Sequence, residues 1–214
     1  MAQGALSPGF RVGHWTNETA RTGCTVILPP LPNVTSCDVR GASPSSRELE
    51  LLHPDRKLTE IHGLLLTGGS AFGLAAAQGV VQWLEEKGVG YQAGVARIPI
   101  VPAAVIFDLG TERADVRPGP AEGLAACETA ADRFEVGHVG AGAGATVGKW
   151  AGREYAARGG LGAFTARDKN VSVSALAVVN AVGDVVAQDG SVVAGTTADN
   201  PTRQTSWTDD EPSS

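Results

Sequence analysis

Cysteine is scarce in this chain and poorly placed for cross-linking. Cys24, Cys37 and Cys127 are an odd number with no CxxC spacing, which argues against a disulfide framework and a thiolate zinc site and leaves reduced, buried thiols as the expectation. Histidine is equally thin: His14, His53, His62 and His138 are scattered, with no pair one helical turn apart beside a carboxylate. They read as structural or surface residues, with His138 singled out by its place next to a glycine loop; no metal and no cofactor is expected. Positive charge is in short supply, with 17 Lys and Arg against 23 Asp and Glu and a net charge of -6. Without a basic stripe or an aromatic ladder, a nucleic-acid partner held through phosphates is not expected. No apolar run approaches the roughly 20 residues of a membrane-spanning helix. Met1 to Phe10 lacks a charged-then-apolar leader, so a cytoplasmic soluble protein with no membrane partner is expected.

What the chain does have is glycine, 28 residues of it, gathered at turns between apolar runs. With 214 residues it can bury a real core, as one domain or a compact two-layer domain with long connections. Cys24 to Leu28 reads as a short strand closed by Pro29-Pro30, and Val34 to Val39 as another apolar-polar run. Arg40 to Arg47 reads as a loop, followed by a helical turn from Glu48 capped by Ser45-Ser46. Ile61 to Leu66 is a buried strand that runs into Thr67-Gly-Gly-Ser70 and a helix to Lys87, with Gly88 as its stop. Small residues including Gly73, Ala76 and Gly79 would let that helix lie close to a sheet. Ala103 to Leu109 is a strand ending in Phe107-Asp108, and Gly119 to Arg133 has a helical pattern. Tyr155 to Thr165 and Asn170 to Val179 look like neighbouring strands, followed by Asp184 to Ala187 and Gly190 to Val193. From Ala194 the composition turns polar, and 194–214 reads as an exposed tail.

Three motifs bear on chemistry. Val171 to Val179 is an apolar strand of the kind covered on both faces, and Asn180 at its end can offer two N–H bonds to an oxyanion or a backbone. Asn-x-x-Gly-Asp is equally an ordinary turn between strands. Upstream, His138 to Trp150 is a glycine-dense loop with Lys149 at its far end. It fails as a Walker loop, having Ala143 and Trp150 where Gly and Ser or Thr are needed, and as a dinucleotide fingerprint, having Val147 in place of the third glycine. Lys149 is then either a partly desolvated lysine tuned as base or donor, or a solvated loop lysine. Ser70, thrown up between strand and helix, suggests a nucleophile elbow, but Phe72 stands where that motif needs its second glycine. The alternative for Ser70 is a helix N-cap.

Taken together, Val12-Gly-His-Trp15, Gly23-Cys-Thr-Val26, Asp38 to Pro44 with Arg47-Glu48, Leu66 to Leu74, the glycine loop ending in Lys149, and Ala175 to Asp184 are colinear over residues 10–190. In these pieces the chain resembles the P1 peptidase family, the L-aminopeptidase/D-esterase family of self-processing hydrolases. Thr67 to Leu74 and Ile98 to Asp108 are closest to its nylon-oligomer (6-aminohexanoate oligomer) hydrolase branch. The resemblance implies an α/β fold, a four-layer α-β-β-α sandwich of the N-terminal-nucleophile-hydrolase kind. It implies a precursor that cuts itself before a Ser or Thr, whose hydroxyl becomes the nucleophile with its own α-amine as base.

By motif position Asn180 matches the family's oxyanion asparagine and Lys149 the lysine that contacts the nucleophile; both are the expected catalytic residues. Phe107 falls near a position where the branch carries a tyrosine. With Gly68, Gly69 and Ser70 it is an expected substrate-binding residue. Nothing after Val193 resembles the family's nucleophile segment. Thr196-Thr197 is followed by Ala-Asp-Asn-Pro, and Pro201 cannot sit in a central strand. The chain is therefore expected to be the larger subunit, with 1–193 as its body and 194–214 leading to the cleavage site. Its expected partners are a smaller subunit beginning with Thr or Ser, further copies of the heterodimer, and a small peptide or oligoamide substrate. Two other readings stay open: a serine hydrolase using Ser70, and a non-enzymatic small-molecule binding protein.

Overall fold

The structure, a computed structural model, describes residues 2–199 and 201. Its frame is a five-stranded sheet built from β1 (Arg11–Asn17), β2 (Thr22–Leu28), β3 (Ser46–Arg47), β4 (Leu64–Thr67) and β5 (Ala103–Val105), in the order β1-β2-β4-β5-β3. Only the β4–β5 pair is parallel, joined through helix α1 (Ala76–Glu86); the other neighbours are antiparallel.

Alternation along β2 assigns the two faces of this sheet. Cys24, Val26 and Leu28 point to one side, where they meet Leu65, Val80, Leu84, Ala126 and Cys127. Ile27 points to the other and meets Val12, Phe134 and Leu161. Every residue of β2 is buried as a result, the pattern of a strand covered on both faces. Each fully buried Val or Leu there contributes about 1.5–3 kcal/mol of apolar burial.

The first face carries α1 and α2 (Pro120–Glu128). These helices cross where glycine removes a side chain: a Cβ on Gly79 would run into the Pro120 carbonyl, and one on Gly123 into the Ala76 carbonyl. Gly79 thus serves close contact with a helix, and the approach to the sheet expected from its small size is made elsewhere. At the start of α2, the Gly119 N–H donates to Glu122 Oε2 at 2.8 Å, satisfying one of the free donors of the first turn.

The second face is covered by a hairpin of β6 (Gly160–Asp168) and β7 (Val171–Val179), antiparallel from Gly160↔Val179 to Asp168↔Val171. Leu161, Ala163, Leu176 and Val178 face the sheet. Helices, sheet and hairpin make three layers, an α/β arrangement. A short pair, β8 (Val185–Val186) and β9 (Val192–Ala194), follows.

Several expectations change. Val34 to Val39 forms no strand, because its neighbourhood is tied loop to loop: Thr35 N donates to Thr59 O, and Asn33 bonds the backbone at Ile61. Ser45-Ser46 caps nothing, since Ser46 lies in β3 and the 3-10 turn Leu49–Leu52 starts from Glu48 in a left-handed conformation. Gly69 rather than Ser70 precedes the 3-10 turn Ser70–Ala75 that leads into α1, and no side chain caps it. The strand expected over Ala103 to Leu109 stops at Val105, and the helix expected over Gly119 to Arg133 stops at Glu128. The strand read as covered on both faces, Val171 to Val179, is covered on one: Val171 is 63% and Val173 64% exposed. All three cysteines are free, Cys24 and Cys127 buried and Cys37 half-buried.

Candidate active site

The glycine loop after His138 is packed against the sheet. Gly140 N donates to Thr16 Oγ1 at 2.8 Å and Ala141 N to Thr25 Oγ1 at 3.0 Å, so two hydroxyls of β1 and β2 fix its entry. Residues Gly140 to Ala145 are buried. Gly144 is pressed between the Arg21 carbonyl and the Asp108 side chain, where a Cβ has no room. The loop ends at Gly148, whose φ of +71° turns the chain into the 3-10 turn Lys149–Ala151.

That turn brings Lys149 inward, to a half-buried position. Its Nζ donates to Thr146 O at 2.7 Å, Thr146 Oγ1 at 2.9 Å and Asn180 Oδ1 at 2.9 Å, using all three ammonium donors. Burial, followed by the neighbouring Arg153 charge, lowers its pKa from 10.5 to about 8.

Asn180, the first residue past β7, is locked by the same network. Oδ1 also accepts from Thr146 N at 3.0 Å, while Nδ2 donates to Phe107 O at 3.2 Å. Donors on one end and a carbonyl on the other settle which way the carboxamide points. One Nδ2 N–H is left without a partner among the described residues. The rest of the Asn-x-x-Gly-Asp turn is structural: Gly183 O accepts from Gly148 N, and Asp184 Oδ1 accepts from Trp150 Nε1 and Thr196 N, each at 2.9 Å. The turn reading of this motif is therefore what the structure shows, with Asp184 in the frame, while Asn180 lines the cavity described below.

Asp108, next to Phe107, ties the site to the sheet. Its Oδ1 accepts from Gly69 N at 2.6 Å and its Oδ2 from the Thr22 hydroxyl at 2.7 Å. Burial pushes its pKa up, against the pull of those two donors. Lys149, Asn180, Thr146, Phe107 and Asp108 line one cavity of about 440 Å³, with Arg21 and Arg153 on its wall.

Of the residues expected from sequence, Lys149, Asn180 and Phe107 come together. Gly68, Gly69 and Ser70 lie behind them, outside the cavity lining. Their N–H groups are spent inside the fold, on Gly23 O, Asp108 Oδ1 and Ile106 O. Ser70 has a φ of +52°, and its hydroxyl has no hydrogen bond among the described residues. His138 is exposed and stands outside the lining. Sequence reasoning missed Thr146, Asp108 and Arg153. A lone Asp closing an apolar strand and a Thr three residues before the lysine were the available signals. Among the described residues no cluster of His, Cys, Asp or Glu fits a metal ion, and no helix is long and apolar enough to cross a membrane.

The model of peptidase family S58 matches residues 7–208. The chain belongs to that family. An uncharacterized aminopeptidase of Mycobacterium tuberculosis is 44% identical over 189 residues, which is 83% of this chain and 52% of the relative. A 6-aminohexanoate-oligomer endohydrolase of Paenarthrobacter ureafaciens is 35% identical over 191 residues, 88% of this chain and 50% of the relative. The chain thus spans about half the length of the curated relatives it matches. Among solved structures, the L-aminopeptidase D-Ala-esterase/amidase of Ochrobactrum anthropi, described as a variant of the Ntn hydrolase fold, superposes with a TM-score of 0.62 at 17% identity, over 84% of this chain and 54% of that one. A β-aminopeptidase of a Burkholderia species gives 0.62 at 19%, with the same coverage. At these identities the likeness is one of fold.

Proposed function

We propose that this S58 chain is the larger subunit of a self-processing N-terminal-nucleophile amide hydrolase, acting as an aminopeptidase or on oligoamides. The observation that carries the reading is the Lys149–Thr146–Asn180 network at the edge of a cavity, with one carboxamide N–H free to donate. A carboxamide locked from behind is a preorganised donor for the oxyanion of a tetrahedral intermediate. A lysine with a pKa of about 8 can hold or take a proton near neutral pH beside the attacking group. The attacking hydroxyl comes from the Thr or Ser that begins a smaller partner subunit, with its own α-amine as base; the chemistry needs no cofactor.

The bare outer face of the β6–β7 hairpin supports such a partner. Phe164, Val171 and Val173 are 73%, 63% and 64% exposed, together with Gly162, Ala175 and Ala177 on the same side. The α-β-β-α sandwich would be completed there by helices of the partner, and 194–214 would lead to the cleavage point. Ala194 belongs to β9, and Thr197 N donates to Tyr155 O at 2.8 Å, so the start of this segment is held near the site; residue 200 and residues 202–214 lie outside the described residues. Assembly of the heterodimers into a larger oligomer and residence in the cytoplasm belong to the same proposal.

The test is intact-mass analysis and N-terminal sequencing of the full-length gene product, together with an amide-hydrolysis assay. A smaller fragment beginning with Thr or Ser, and activity that depends on it, are expected. A single uncut, inactive species would overturn the reading. A serine hydrolase built on Ser70 has that residue's left-handed φ at a strand-to-helix turn in its favour, but the hydroxyl has no hydrogen-bonded base among the described residues and stands outside the cavity lining.

A further inference from the structure

The cavity beside Lys149 and Asn180 is charged in a way that a neutral amide does not require. Three cations line it, Arg21, Lys149 and Arg153, against two carboxylates, Asp108 and Glu154. Most of these groups are committed. Arg21 Nη1 pairs with Glu112 at 3.3 Å. Both Asp108 oxygens are bonded inside the fold. Lys149 spends its three donors on Thr146 and Asn180.

Arg153 is different. It stands on the 3-10 turn Arg153–Tyr155, directly after the lysine turn and separated from it by Gly152 with a φ of +134°. Its side chain is exposed. Among the described residues its guanidinium has no hydrogen bond and no ion pair, even with adjacent Glu154. What it does have is a platform: its Cζ lies 5.7 Å from the centroid of the Phe107 ring, within range of a cation–π contact. The carbonyl of that same Phe107 holds the Asn180 carboxamide. Ring and carbonyl of one residue therefore set the spacing between a free guanidinium and the proposed oxyanion donor.

A guanidinium steadied on an aromatic face keeps its fork of N–H donors for a planar, bidentate acceptor. The neighbouring lining at Phe107, Ala156 and Val182 is apolar, suited to a hydrocarbon stem rather than to a multiply charged group such as a phosphate ester. Building on the amide-hydrolase reading, we propose that Arg153 seats a free carboxylate of the substrate, so that the preferred substrate is an amide acid with its carboxylate on Arg153, its stem along Phe107 and Val182, and its scissile carbonyl at Asn180. Lys149 gains from the arrangement as well. Arg153 helps to depress its pKa, and a carboxylate seated on Arg153 offsets that effect only while substrate is bound.

The experiment uses the full-length, processed protein and two matched substrates, a short oligoamide ending in a free carboxylate and the same oligomer ending in a primary alcohol. The native protein is expected to favour the carboxylate by roughly ten- to hundredfold in kcat/KM, the range of a charge-assisted hydrogen bond, mostly through KM. Arg153→Gln is expected to bring that ratio close to unity, and Arg153→Lys to restore part of it, since an ammonium keeps the charge but loses the fork. Equal turnover of both substrates by the native protein would overturn the inference while leaving the hydrolase reading in place. So would a ratio unchanged in Arg153→Gln, which would assign the preference to another cation. Turnover of neither substrate by correctly processed protein would remove the hydrolase reading and this inference with it.

Discussion

The two long apolar strands of this chain, β2 and β7, look alike in sequence and end up in opposite situations. β2 is buried along its whole length between the helices and the hairpin. β7 alternates, with Leu176 and Val178 inward and Val171 and Val173 open. The sheet and helix side is a finished core, whereas the hairpin side is finished on one face only. The candidate site lies on the seam: Asn180 hangs from the end of β7, and its amide is held by Phe107, just past β5. The difference teaches that an apolar strand shows its demand for burial without showing whether the same chain supplies the cover.

The comparison breaks most readily at the finished core. Leu65→Ala removes a side chain with no exposure and is expected to cost about 2–5 kcal/mol in denaturant unfolding; a cost below 1 kcal/mol would mean that this core is not the stabilising one.

Next is the seam itself. On the proposed reading, Asn180→Ala in the processed full-length protein should lower kcat by roughly 10²–10³-fold, the effect of a lost oxyanion donor. Unchanged turnover would remove Asn180 from the chemistry.

The unfinished face gives a smaller and conditional effect. Phe164→Ser is expected to change the stability of the isolated chain within about 0.5 kcal/mol, as for an exposed site, yet to weaken association with the proposed smaller subunit, read by dissociation in size-exclusion chromatography. Equal behaviour in both settings would mean that nothing covers this face.

Smaller still are the pH effects. If Lys149 must be neutral, kcat/KM should rise with pH through a midpoint near the lysine's value of about 8, and Arg153→Gln should move that midpoint upward because one lowering cause is gone. Stability follows with a definite sign. The folded pKa is below the unfolded value, so Lys149 detracts from stability below pH 8, and that penalty lifts as the pH climbs from about 8 towards 10.5. Denaturation midpoints across that window, native against Lys149→Met, check the direction.

The least perturbing probe is thiol labelling. Burial raises Cys24 and Cys127 to about 12, so only Cys37 should react in the native state at mildly alkaline pH.

Much of the frame was legible. Cys24 to Leu28, the α1 segment with its stop at Gly88, and the neighbouring strands read over Tyr155 to Thr165 and Asn170 to Val179 could be read from pattern, although the first of that pair runs Gly160–Asp168. The segments that misled were those where a neighbour overrode local preference. Val34 to Val39 has a strand's pattern, but its backbone partners are other loops. Ser70 has a cap's chemistry, but Asp108 and Ile106 take the N–H groups around it. In the candidate site, Lys149 and Asn180 were named from motif order, which the resemblance supplied, while their chemistry alone left an ordinary turn and a solvated lysine open; the structure brings the two side chains together at 2.9 Å. Thr146 and Arg153 were not legible: their roles depend on 3-10 turns and on a φ at Gly152 that no periodicity announces. Asp108 was seen only as a strand end, since its meaning lies in two hydrogen-bond partners, Thr22 and Gly69, far away in sequence.

Those two bonds also bear on how the protein opens to solvent. Asp108 fastens the chain beside Phe107, whose carbonyl holds Asn180, to the ends of β2 and β4. Opening of that carboxylate clamp is then tied to opening of the strand ends it bonds, and the Gly69 amide proton is expected to exchange more slowly than that of Thr146, whose acceptor is the half-buried Asn180 side chain.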